Sequence, residues 1–121
     1  MQGRETTETV YKIGVNIPEE FSEQLMDEVT RSIEPLYPKY DRTFYSYPVR
    51  GTWRPLPGSD PYDGEVGRIQ TADEMRIEFA VRKEYLQAAL EAVRRVHPYE
   101  EPAIDVIPML GWKSVIRKDG C

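Results

Sequence analysis

The chain has 121 residues, 40% apolar and 31% charged, the balance of one globular domain rather than a disordered segment. Sixteen basic against 21 acidic residues leave a net charge of -5, which argues against general polyanion binding. One cysteine, Cys121, and one histidine, His97, exclude an intramolecular disulfide, a CxxC site and a two-histidine metal centre within one chain. No apolar run approaches the ~18 residues of a membrane helix and MQGRETTETV has no apolar signal region, so a soluble, cytoplasmic domain is expected.

Residues 1–8 are polar and aperiodic and read as a flexible tail. Tyr11, Ile13, Val15 and Ile17 then alternate with Val10, Lys12, Gly14 and Asn16, which predicts a first strand. Pro18 suits a first helical turn, with Glu19 and Glu20 beside the positive end of the dipole. Phe21, Leu25, Met26, Val29 and Ile33 form the apolar stripe of a helix of about four turns, stopped by Pro35. Residues 40–54, rich in aromatic and β-branched types, read as strand broken by Pro48 and Gly51.

Pro55 to Gly67 holds three prolines and three glycines in thirteen residues, a long loop of the kind that usually carries function or holds a partner. Met75, Ile77, Phe79 and Val81 alternate with polar residues as a further strand, and Lys83 to Val96 reads as a second amphipathic helix ended by Pro98. Ile104 to Leu110 is the last strand. Two β-α-β halves side by side predict an α+β, ferredoxin-like domain over residues 9–112, its antiparallel sheet carrying both helices on one face. Residues 113–121 read as a C-terminal tail. The second sheet face has no helix to cover it, and with Tyr11, Tyr45 or Tyr47 on it the pattern predicts an oligomer.

His97, Glu100 and Glu101 lie within five residues just past a helix end, and imidazole plus carboxylates can bind a divalent cation. The plain structural alternative is that His97 caps the helix while the glutamates are solvated or pair with arginines. Lys39, Arg42, Arg50 and Arg54 stand among Tyr40, Phe44, Tyr45, Tyr47 and Trp53, against the lone Asp41. Such a segment can hold a phosphate or stack bases, or its aromatics can simply divide between a core and an oligomer face. Arg50, Arg54 and Tyr99 are the candidate ligand contacts. Asp60, Asp63 and Glu65 lack calcium-loop spacing and read as a turn. Gly58, Gly64 and Gly67 open no helix, so no phosphate-cradling loop is supported. Ser46, Ser59 and Ser114 have no nucleophile context.

Residues 97–109, HPYEEPAIDVIPM, resemble the closing motif of the PII/CutA-like domain inserted in YqfO-type (Nif-three-like) proteins. GTWRP (Gly51 to Pro55), PYDGEVG (Pro61 to Gly67) and MRIEF (Met75 to Phe79) resemble that family's central blocks in the same order. The resemblance implies a ferredoxin-like fold, a homotrimer and, by analogy, a regulatory or sensing role. It implies a stand-alone domain without the flanking halves that hold the family's two-metal site, so a hydrolase activity of the full-length family is not carried over, and the balance leans away from an enzyme. The family's shared PYDGEVG loop is expected to pack on a neighbouring subunit. Domains of that family carry a cysteine before the second strand, whereas Glu34 to Phe44 has none. The combined expectation is a divalent metal ion or small ligand bound between subunits, with His97, Glu100 and Glu101 for a cation and Arg50 and Arg54 for an anion. A non-catalytic assembly module is the alternative; neither membrane nor nucleic acid is expected as a partner.

Overall fold

A computed structural model describes residues 7–116; Cys121 and the outer parts of both predicted tails lie outside them. The elements run β1 (Thr9–Ile17), α1 (Ser22–Ser32), β2 (Tyr45–Trp53), β3 (Gln70–Arg82), α2 (Leu86–Val96), β4 (Ala103–Leu110) and the single turn α3 (Trp112–Val115). A 3-10 turn leads into each long helix, at Glu19–Phe21 and Lys83–Tyr85. The sheet order is β2-β3-β1-β4, and all pairings are antiparallel. This is the ferredoxin-like arrangement predicted from the alternation of strands and helices.

Residues paired across antiparallel strands share a face, so register assigns the two faces. Ile13 stands opposite Phe79 and Val106, and Val15 opposite Ile77 and Ile104. All of these but Val106, which stays exposed, join Leu25 and Val29 of α1 and Ala89, Ala92, Val93 and Val96 of α2 in one core. Small alanines on α2 let the helices approach, and Arg95 bridges to Glu28 across their outer seam at 2.9 Å. Each buried Ile, Leu or Val contributes roughly 1.5–3 kcal/mol by leaving water. Pro48 and Pro108 both lie on edge strands, where a missing N–H can face away from the neighbour.

Tyr11 does not lie on the uncovered face. Opposite Val81 and Pro108, it packs against the core, as the phase of β1 requires. The centre of the uncovered face is ionic. Arg76 lies flat across it, donating to Asn16 Oδ1 at 3.1 Å, Asp105 Oδ2 at 2.8 Å and Glu78 Oε2 at 3.0 Å. Tyr47 also donates to Glu78, and Lys12 lies 3.6 Å from the same carboxylate. Gly14 is the floor beneath the guanidinium, since a Cβ there would fall 2.1 Å from Arg76 Nη2. Asp105 raises the Arg76 pKa, while Arg76 holds both Asp105 and Glu78 below their ordinary values. Tyr45 and Ile107 flank this centre, 73% and 46% exposed.

Candidate functional site

The uncovered face closes into a cleft at one end. Asn16 of β1, Gly51 and Trp53 of β2, Glu74 of β3 and Ala103 of β4 supply its floor. Two segments rise over that floor: the loop from Arg54 to Asp63, and the turn from Tyr99 to Glu101 that follows α2. The enclosed space is about 470 Å³, within the range of small-molecule sites.

The turn after α2 is held from below by His97. Its backbone N–H caps α2 by donating to Val93 O at 3.0 Å, and Pro98 prevents a further turn. The ring is 7% exposed. Nδ1 accepts the Tyr99 N–H at 3.2 Å, which leaves the proton on Nε2, 2.6 Å from Asn16 O as its acceptor. Burial pushes the imidazole pKa down, against the pull of the Asn16 carbonyl, so the ring is neutral in the fold. The Tyr99 ring sits 4.9 Å from that of His97, and its hydroxyl donates to Glu74 Oε2 at 2.5 Å. Burial, followed by the Glu74 contact, raises the phenol pKa, so Tyr99 stays a donor.

Trp53 lies 5.7 Å from Tyr99 on one side and Tyr62 lies 5.8 Å away on the other, a tilted three-ring wall. Tyr62 is itself set edge-on against Phe21, 6.1 Å distant. Glu100 accepts the Asp60 N–H at 2.8 Å, joining the two covering segments at the rim. The long loop closes on itself through Gly67 N–H to Pro55 O at 2.8 Å, with Gly67 at φ +84°, a conformation that favours glycine. Within the chain, PYDGEVG therefore folds beside its own sheet end, with Tyr62 and Asp63 lining the cleft.

Of the six residues singled out in the sequence, Arg54, Tyr99, Glu100 and Glu101 line this cleft. His97 sits beneath it as a support. Arg50 stands in register with Asp73 and so points to the opposite side of β2 from Gly51 and Trp53. His97, Glu100 and Glu101 do not meet around one point. Both imidazole nitrogens are engaged within the chain, and among the described residues no three His, Cys, Asp or Glu side chains are grouped to hold a metal ion. The basic segment is dispersed as well. Arg42 binds Glu23 and Asp27 of α1 at 3.0 and 2.8 Å, pinning the loop before β2 and bordering a smaller opening of about 250 Å³ at the other end of the sheet. Sequence reading placed Trp53 only among the stacking aromatics of the basic segment, and gave no binding role to Tyr62, Asn16 or above all Glu74, which is 6% exposed. A glutamate on the polar phase of a strand gives no sign that loops will bury it.

No family model matches the chain. A GTP cyclohydrolase 1 type 2 homolog from Bacillus subtilis is 31% identical over 103 residues, covering 85% of this chain and 28% of that protein. The protein of the same name from Halalkalibacterium halodurans is 30% identical over 104 residues, covering 86% of this chain and 28% of its own length. A crystal structure of a Bacillus cereus protein related to NIF3 superposes with a TM-score of 0.73 at 25% identity, over 89% of this chain and 29% of that one. The chain is related to these NIF3-type proteins. That bears out the resemblance carried by HPYEEPAIDVIPM. The chain spans less than a third of the length of these relatives. For the fold alone, the periplasmic divalent cation tolerance protein CutA from Archaeoglobus fulgidus gives a TM-score of 0.61 at 18% identity, covering 83% of each chain. Bacillus subtilis GlnK, in a complex with ATP, gives 0.57 at 16%, covering 84% of this chain and 83% of GlnK.

Proposed function

We propose that residues 9–112 form a non-catalytic, homotrimeric PII/CutA-like module that binds a small ligand in the Trp53–Tyr99 cleft and serves a regulatory or sensing role in the cytoplasm. The observation that carries this reading is the construction of the cleft. A buried histidine, with no free ring nitrogen for chemistry, orients Tyr99 over a buried carboxylate beside two further rings. Such convergent polar groups in an aromatic hollow are the usual form of a small-molecule site. A metal-only site draws no support from this geometry, because among the described residues no three His, Cys, Asp or Glu side chains are grouped to hold an ion. The trimer is supported by the exposed aromatic and aliphatic flanks of the uncovered face, Tyr45, Tyr47 and Ile107, around a polar centre. The same flanks would serve an assembly module without a ligand.

Native mass spectrometry on protein purified without added metal or chelator tests the proposal. The expected spectrum is a trimer with extra mass, and Trp53→Ala, which opens the wall without touching Glu74, sheds that mass while keeping the trimer. A bare trimer favours the assembly module, and a monomer overturns the quaternary part.

A further inference from the structure

We infer that the ligand taken by the Trp53–Tyr62–Tyr99 cleft is a small organic cation, an alkylammonium or guanidinium compound, held between the three rings and the Glu74 carboxylate. The inference rests on the proposed reading of the cleft as a ligand site and names the chemistry of its occupant.

Four observations converge on it. Aromatic faces carry negative electrostatic potential, and rings inclined around a hollow attract an ammonium or guanidinium group. Tyr99 is inclined to Trp53 by 46° at 5.7 Å and to Tyr62 by 40° at 5.8 Å, so neither pair is a flat stack. Second, Glu74 is 6% exposed, and the only hydrogen bond to its side chain among the described residues is from Tyr99 to Oε2. Oε1 is the oxygen left open to the cleft that Glu74 lines, where the positive charge of a ligand can pair with it.

Third, Oε1 is kept open by the absence of a side chain at Gly51, where a Cβ would lie 3.0 Å from that oxygen. The sequence therefore leaves space on the free side of the carboxylate. Fourth, the charge of the lining is one-sided. Glu74, Asp63, Glu100 and Glu101 face the cleft with Arg54 as the one opposing charge among the residues that line it. Anions are disfavoured by that balance. Among the described residues a bare divalent ion finds no cluster of three ligating side chains, while the rings that make the wall are poor ligands for it. A neutral ring could stack on the aromatics but would leave Glu74 without a counter-charge.

Titration calorimetry on the full-length protein decides the matter. The probes are choline, its neutral isostere 3,3-dimethyl-1-butanol, agmatine and ATP. The expectation is that choline or agmatine binds at least about tenfold more tightly than the neutral alcohol, with ATP weakest. Glu74→Gln keeps the shape of the site and should lower cation affinity about tenfold, with little effect on the alcohol. Trp53→Leu keeps apolar bulk but removes the π face, and should weaken choline more than the alcohol. This second variant keeps the test decisive if Glu74→Gln disturbs the packing. Glu91→Gln, on the outer face of α2, should change nothing. Equal binding of choline and the alcohol, unaffected by Glu74→Gln, overturns the cation and leaves the cleft as a ligand site. Binding of ATP alone overturns it in favour of an anion. Binding of no probe overturns it too, and co-purified mass in the native spectrum then decides whether the cleft holds a ligand of another class.

Discussion

His97 joins three parts of the chain through one ring: the end of β1 at Asn16, the cap of α2 and the backbone of Tyr99. Because burial lowers its pKa from the ordinary 6.5, the unfolded chain takes up a proton at a higher pH than the folded one. The stabilisation is fully present above about pH 6.5 and is lost as the pH falls below it. Thermal unfolding of the wild type should therefore decline between pH 7 and 5 more steeply than that of His97→Gln, which has lower stability at pH 7 but no such proton uptake. Parallel pH profiles for the two proteins would show that the ring is not held neutral. The chemistry around His97 was only partly legible in the sequence. Adjacency placed it with Glu100 and Glu101, but neighbours in a turn point in different directions. One becomes a buried support, and the glutamates go to the rim. Glu74 left no signal at all, because its burial comes from Tyr99, 25 residues away in sequence, folding over it.

At the scale of elements, the sheet depends on a matched pair of features in different strands: the missing side chain at Gly14 and the long side chain of Arg76. Gly14→Ala would displace the guanidinium from Asp105 and Asn16. The expected cost is about 1–2 kcal/mol in urea unfolding, the scale of charged hydrogen bonds lost from a partly covered network. Asp105→Asn removes the same ion pair, so the double variant should be less destabilised than the sum of the singles. Strict additivity would contradict a shared network. The strands and helices were readable because each buries one face, so period 2 or 3.6 is imposed on the residues themselves. The loop Pro55–Gly67 was equally readable as a loop, from its prolines and glycines. Its destination was not, because the contacts that fix it, Tyr62 on Phe21 and Tyr99, join distant parts of the chain.

Across the whole molecule, the layered architecture assigns separate tasks to the two sheet faces. One face forms the core with α1 and α2; the other carries an ionic centre, exposed flanks and, at one end, the cleft. The order of the six main elements was legible, since β-α-β-β-α-β with an uncovered face follows from hydrophobic phase alone. The single turn α3, Trp112–Val115, was not, because its residues read as the start of a tail. The polarity of the uncovered face was not, because it depends on which side chains the register brings opposite one another. Arg76, Glu78 and Asp105 look like ordinary solvent-facing charges until β1 brings them together. The central claim is that ligand recognition belongs to the cleft end of this face rather than to the Arg42 end. Nuclear magnetic resonance of isotope-labelled full-length protein, titrated with a deproteinised small-molecule extract of cells, tests it directly. The account predicts amide shifts concentrated at Gly51 to Leu56, Glu74 and Tyr99 to Ala103, with Tyr37 to Phe44 unmoved. Shifts centred on Tyr37 to Phe44, or an unchanged spectrum, would contradict it.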